Sequence, residues 1–581
     1  MKYRARGNIS NFFAQGSAIV LVLVFTTICL IILLGLLGWV TSNARLTQRH
    51  CQYSRSVAAA EAATEKVLTA ISTDYKNLGQ GYVLANLDTY RHMCPTSSED
   101  PAWGDFTFMN LQGVTDRTYV QYTPGNTFKV LSAQYQGLKG FANTFQIISN
   151  ARDVNSSASV IGAVQQQIQL STIPLFQFAM FYNLDYECNA LPNITVTGPV
   201  HCNANIYLTP VNTLTFNSDV TAAGTIYTTP KSGNGCGNAA GTIIFKGAHD
   251  SKVSTLSLPI GTNNSAAAVR QVVEIPPFGE SAKSSLGAQR YYNKADMVIL
   301  VQDASVAITS GLVDNFGTTV PWLQATNFMR TNITFTNQRE KKVVKAVEIN
   351  IGQLAQWNAT NNLLRPLLTS GDIRTIYVAD LRTMGTNQPG IRLVNGQTLL
   401  PQGLTVATPD PLYIQGHYNC PNAYLGTTNT TGSLPASIAA DAVTVLSPSW
   451  NDANSTAAFG TRVASDTTVN AAFLAGIVET TTAGGYSGGV ENFPRFLEEW
   501  TNKTLTYNGS MVVMFQSKFA TAPWVNIGIY YNPPTRNWAF DQNFSDPTGS
   551  KLPPATPAAS TLIRGTWRVA QPKSTNTVVA L

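Results

Sequence analysis

The sequence predicts an α+β protein: a long N-terminal helix, a small sheet packed on it, and a large, mostly β body. Three observations carry that expectation. Residues 17–40, SAIVLVLVFTTICLIILLGLLGWV, form an uncharged, mostly apolar run of 24 residues behind a short basic leader. Residues 41–76 contain neither Pro nor Gly, so nothing interrupts a helix there. Beyond Tyr75, apolar and polar residues alternate in short runs broken by turn residues. The expected divisions are a leader over 1–16, a helix over 17–76, a small α+β sheet over 77–173, a β-rich body over 174–470 and a C-terminal segment over 471–581.

The apolar run comes first because it constrains function most. As an α-helix it is about 36 Å long, against a hydrocarbon core of about 30 Å. Trp39 lies at its far end, where an indole prefers the membrane interface. Lys2, Arg4 and Arg6 precede it and hold that end in the cytoplasm, while Arg45 and Arg49 follow without outnumbering them. A cleaved secretory signal fits less well, since its apolar core spans about 7–15 residues and ends in an Ala-x-Ala site that is missing near Val40. The expected product is a single-pass inner-membrane protein with an extracytoplasmic head.

The second half of the helix is amphipathic. Leu46, His50, Tyr53, Val57, Ala60, Thr64, Val67 and Ile71 repeat in steps of three and four and draw one stripe along it. One rod from about residue 17 to about 72 follows, apolar all round in front and one-sided behind.

A basic leader, GSAIVLVLVF and then AAAEAATEKVL on a long helix together resemble the N-terminus of the type IV pilin-like superfamily. Within it the chain is similar to the PilX-type minor pilins and GspK-like pseudopilins. The resemblance implies cleavage by a prepilin peptidase after Gly16 and N-methylation of the new N-terminus, Ser17. It also implies a partnership with other pilin-like subunits and with the inner membrane. Leu21 stands where major pilins carry Glu, and Ser17 where they commonly carry Phe; both departures point to a minor subunit. The segments 198–208, 395–419 and 486–500 resemble the β-rich bodies of large PilX-like proteins.

Composition bounds the remainder. Charged residues are 12% and the net charge is +6, of which Lys2, Arg4 and Arg6 supply half. No basic run exceeds Lys341–Lys342 with Arg339 and Lys345 nearby, so nucleic acid is not an expected partner. Cys29 lies in the apolar run. Cys51, Cys94, Cys188, Cys202, Cys236 and Cys420 allow up to three disulfides in an exported region; sequence leaves the pairing open. Cys188 with Cys202, and Cys51 with Cys94, are the pairs that proximity suggests. His50, His92 and His201 adjoin cysteines, but no repeated CxxC or HxxxH pair marks a metal site, and no cofactor is expected.

Short strands are expected at 106–108, 119–122, 145–149 and 164–170, forming the sheet under the helix. From about 174 they shorten to three to five residues, among them 194–196, 205–208, 214–216, 225–227, 297–301, 375–378, 391–394, 404–407, 412–415 and 442–446. A body of such strands is a sandwich or a parallel β-helix. Short strands stack better in coils, although no exact repeat period is visible. A short helix is expected at 490–500, strands near 505–507 and 511–515, and a strap-like tail after Asp541.

Catalytic patterns are weak. Gly485-Tyr486-Ser487-Gly488-Gly489 satisfies G-x-S-x-G, but no strand leads into it and no His follows it, the last being His417. Glu498–Glu499 and Asp303 are isolated carboxylates, and no GxxxxGK[ST] loop occurs. The reading is therefore not an enzyme but a minor pilin-like assembly subunit of a type IV pilus or type II secretion pseudopilus, its head exposed for interaction or adhesion. The alternative is a membrane-anchored carbohydrate-binding or carbohydrate-active β-helix protein.

Overall fold

The computed structural model describes residues 13–570 except 125–127, 132–136, 156–159, 190–191, 236–240, 312–317, 484, 523, 525–527 and 547–550. Helix α1 spans Phe13–Ala85 and is interrupted at Gly79, whose φ of 81° and ψ of 179° are not helical. That left-handed φ suits a residue without Cβ, and Pro259 of the body lies against the same position. The rod thus runs past its expected end near residue 72, because nothing before Gly79 breaks it. A five-residue helix α2, Leu87–Arg91, follows.

The first sheet is antiparallel and lies under the second half of α1. Strands β1 (Phe106–Met109), β2 (Tyr119–Thr123) and β3 (Phe128–Val130) all pair with β4 (Lys139–Asp153), which pairs with β5 (Ile161–Pro174). The other neighbour of β5 is the strand Ala558–Ala570, with Ala558 opposite Pro174 and Ala570 opposite Ala163. This corrects the expected strap: the tail returns to the sheet as a strand of 13 residues. Residues 175–557 are therefore an insertion between two adjacent antiparallel strands, and the chain leaves and rejoins the sheet at one place.

The inserted body is mostly a coil of parallel strands, with antiparallel pairs where Met297–Val301 meets Val306–Ser310 and Met329–Asn337 meets Lys342–Asn350. Met180 sits opposite Val200 and Val200 opposite Val220, while Tyr186, Ile206 and Ile226 stack likewise on a second face. A period of 20 residues is thus present at the start of the body, where sequence reading found none. It is hidden because apolar positions vary (Met, Val, Val; Tyr, Ile, Ile) and the third turn is lengthened before Thr242–Phe245. Side-chain hydrogen bonds repeat at the same spacing. Asp185 Oδ1 accepts from Asn205 N (3.0 Å), and Asn205 Oδ1 accepts from Thr225 N (3.0 Å). Asn203 Nδ2 donates to Asn183 Oδ1 (2.9 Å).

The chain then crosses to the far end of the stack and winds back. Strands Met297–Val301, Thr375–Asp380, Leu404–Ala407, Ala436–Ala440, Ala472–Ile477 and Met511–Gln516 pair in parallel, and the last pairs with Met180–Tyr182. The two windings meet where the body joins the first sheet. One apolar core, including Phe181, Tyr186, Ile299, Val378, Leu474 and Val513, runs through both.

The expected helix at 490–500 is absent. Only the short 3-10 turn Gly489–Asn492 forms, and Phe493 leaves it with φ −129° and ψ 111°. Pro494 explains the stop, since proline disfavours an α conformation in the residue before it and has no N–H to donate.

Candidate assembly interface

The feature with most capacity to act is α1. Residues 18–51 are exposed along every face of the helix; Leu21 is 70% exposed and Phe25 68%. So much exposed apolar surface is unstable in water, and among the described residues this one helix is long and apolar enough to cross a membrane. Its few polar side chains are satisfied locally. Thr27 Oγ1 donates to Leu23 O (2.6 Å), and Thr41 Oγ1 to Leu37 O (2.8 Å). Gly16 and Ser17 lie on the helix backbone near its start, and residues 1–12 of the expected leader fall outside the described residues.

The remainder of α1 is held firmly by the sheet. Ala60, Thr64, Val67 and Ile71 of the expected stripe are fully buried and Val57 is half-buried, whereas Leu46 and His50 stand clear of the sheet in solvent-facing positions. The stripe is therefore right only where there is a sheet to meet it. Ala59, Ala60 and Ala63 pack on Val164 and Ala151, and Val67, Ile71 and Tyr75 on Phe145, Ile168 and Leu170. Helix and sheet meet most closely at Gly162 of β5, where a Cβ would lie 2.4 Å from Val57 N and 2.5 Å from Ser56 C.

Polar ties flank this seam. Gln166 Nε2 donates to Thr64 Oγ1 (3.1 Å) and Glu65 Oε1 (2.8 Å). Arg564 of the returning strand bonds both Glu65 oxygens (2.8 and 3.1 Å). Burial alone would raise the Glu65 pKa, but Arg564 and Gln166 hold it below its ordinary value. Arg55 pairs with Asp153 (3.0 Å), and Lys66 with Glu99 (2.6 Å). Sequence reading missed Gly162 and Arg564. An isolated Gly within a strand was the available signal for the first; the second needs the chain's return to the sheet.

The cysteines do not form the suggested pairs. Cys29, Cys51, Cys94, Cys188, Cys202 and Cys420 are free, and Cys236 lies outside the described residues. Cys94 packs beside Ala59, Ala60 and Ala63, two helical turns from exposed Cys51, about 12 Å along the axis and beyond disulfide reach. Cys188 sits opposite Leu208 on one face of the coil, and Cys202 opposite Tyr182 and Ala222 on another.

The other singled-out residues are dispersed. Ser487 is buried and bonded to Thr480 Oγ1 (3.2 Å). Glu498 is buried, accepts from Ser447 N and Oγ, and is pushed up to about 7 by burial. Glu499 holds Asn532 and Asp303 holds Thr383, each as a local brace. His201 is a core imidazole between Thr221 Oγ1 and Asn203 Oδ1, lowered to about 4 by burial. His92 pairs with Asp88 and His417 accepts from Thr468 N. Among the described residues no three His, Cys, Asp or Glu side chains converge as a metal site would need.

No protein-family model matches the chain, and no curated protein matches it. Among solved structures it is similar to the competence-associated pilin ComZ from Thermus thermophilus. The alignment has 10% identity and a TM-score of 0.28, and covers 89% of this chain and 98% of that one. A score of that size carries no weight for fold or function, which rest on the geometry above.

Proposed function

We infer that the chain is a minor pilin-like assembly subunit, inserted through α1 into a filament built from the helices of related subunits, with its inserted body displayed outward. The observation that carries this reading is the single rod of α1. Its front is bare and apolar on all sides, and its rear is locked to a sheet. A plain membrane anchor needs no such rigid continuity, whereas a helix that exchanges lipid for neighbouring helices must hold its head at a fixed position. We read the body as a parallel β-helix, from its register of 20 residues and its parallel stacking. Cleavage after Gly16 by a prepilin peptidase, N-methylation of Ser17, and insertion in the inner membrane with the head extracytoplasmic belong to the same proposal. Its recruitment to a type IV pilus or a secretion pseudopilus follows from it.

The size of the body favours a low-copy or terminal position, because a wide head obstructs dense packing of the rods. No catalytic role is assigned: Ser487 and Glu498 are buried and bonded as internal braces, and His201 is a core imidazole. Mass spectrometry of the N-terminus of the protein from its host tests the reading. A chain that begins at methylated Ser17 supports it. A chain that retains Met1 overturns it and leaves α1 as an anchor for the alternative, carbohydrate-directed function.

A further inference from the structure

A groove of about 460 Å³, lined by both polar and apolar side chains, opens beside α2 and β2 on the first sheet. Arg91 of α2, Asn110 and Gln112 of the turn after β1, and Arg117, Tyr119 and Gln121 at β2 are among its lining. Strand β2 pairs only with β4, so one edge of β2 faces away from the sheet. That edge is already engaged by α2. Thr118 N donates to Arg91 O (2.8 Å), and Arg91 Nε donates to Val120 O (3.3 Å). An added strand would have to break these bonds, which disfavours an extended peptide as the occupant.

Other arginines, such as Arg365 and Arg462, also bond only carbonyl oxygens, so what distinguishes the groove is that two arginines without a carboxylate line one volume. Arg270, Arg290, Arg382, Arg392, Arg495 and Arg564 each hold a carboxylate. Among the described residues Arg91 and Arg117 hold none, although Asp88 and Asp116 are close in sequence. Asp88 pairs with His92 instead. The Thr118–Arg91 backbone bond brings the two residues to the same edge, and both line the groove. A guanidinium presents a planar fork of donors that matches a carboxylate or phosphate, and two of them make a strong preference for an oxyanion.

The rest of the lining indicates what carries the oxyanion. Carboxamides at Asn110, Gln112 and Gln121 and the Tyr119 phenol, which donates to Gln121 Oε1 (3.2 Å), supply paired donors and acceptors suited to hydroxyl groups. The volume falls in the usual range of small-molecule sites, about 300–1,000 Å³. We propose that this groove binds a sugar bearing an oxyanion, either a carboxylate or a phosphate. It is a head-borne ligand site independent of how α1 is processed.

Calorimetric titration of the full chain in detergent micelles tests it, with glucuronate, glucose 6-phosphate, glucose and inorganic phosphate as probes. One or both acidic sugars bind saturably, glucose binds at least tenfold more weakly, and raised salt weakens the acidic sugars. Preference between glucuronate and glucose 6-phosphate identifies the source of the oxyanion. Arg117→Gln lowers affinity by about tenfold or more, the equivalent of one lost charged hydrogen bond of about 1.5–3 kcal/mol. Arg564→Gln, whose parent guanidinium is engaged by Glu65, leaves binding unchanged. Absence of binding by both acidic sugars, equal binding of glucose, or an Arg117→Gln variant that binds as the parent does would each overturn the proposal. Inorganic phosphate binding as tightly as glucose 6-phosphate would overturn its sugar component.

Discussion

Replacing Gly162 with Ala places a methyl carbon 2.4 Å from Val57 N, 2.5 Å from Ser56 C and 2.8 Å from Val57 Cα. All three obstacles are helix backbone, so no side chain can swing aside. Restoring ordinary contact, near 3.4 Å, moves α1 about 1 Å off β5. Overpacking of this kind costs about 1–3 kcal/mol. A gap of about 1 Å at Ala59, Ala60 and Ala63 also forfeits up to half of each dispersion contact on the sheet. Together the loss is about 2–4 kcal/mol, concentrated on the helix seam and away from the body. Urea unfolding of the full chain in micelles, followed by hydrogen exchange of α1 amides, measures it. Gly104→Ala is the control, because its Cβ would meet only Ser97 Cβ at 3.7 Å. If Gly162→Ala unfolds at the parent's urea midpoint and keeps α1 protected, the helix is not seated through this contact, and the rigid-rod basis of the proposed function fails with it.

Two further perturbations probe the body. Asp410 is pushed up to about 8 by burial, with the charges of Asp380 and Asp441 adding to the shift, so it is protonated in the fold at neutral pH. Its stabilising effect is complete below the ordinary value of 3.8 and is lost as pH rises through about 8. Melting temperatures of the parent should therefore fall between about pH 5 and pH 9, and Asp410→Asn should flatten that fall; an equal fall in the variant refutes the assignment. Asn203 bonds Asn183 Oδ1 (2.9 Å), Leu256 O (2.7 Å), Leu256 N (2.8 Å) and His201 Nε2 (3.1 Å). Asn203→Ala leaves several of these groups unpaired and should cost about 2 kcal/mol or more by denaturant titration. A loss below about 0.5 kcal/mol would mean that the ladder of polar side chains does not hold the coils together.

Local features were the legible ones. The apolar run, the unbroken rod and most of the short strands follow from composition and alternation within a few residues, and Val57 to Ile71 meets the sheet as its spacing indicates. What escaped notice depends on distant parts of the chain. The period of 20 residues survives in register and in Asn and Asp ladders, but the apolar identities differ at each turn and a lengthened connection hides the third repeat. The expected helix at 490–500 does not form because Pro494 disfavours an α conformation at Phe493. Cys188 and Cys202 are near in sequence, yet a coil of this pitch sends them to different faces. Arg91 and Arg117 line one groove only because α2 closes the free edge of β2.

The return of 558–570 to β5 has a consequence for assembly. Because Ala558 lies opposite Pro174, the inserted body is tethered at two adjacent points on one end of the sheet, while the opposite end of the same strands carries Gly162 and its contact with α1. Load on the body therefore passes along β5 and its partner strand, in the direction of their length, to the helix seam. Arg564 crosses from the returning strand to Glu65 between those ends and ties that strand to the rod. The body also touches the end of the rod directly, where Pro259 lies against Gly79 and Ser285 Oγ donates to Leu78 O (3.4 Å). The pairing of Met511–Gln516 with Met180–Tyr182 brings the final turn of the coil back against the first, so the two tethers leave the body side by side.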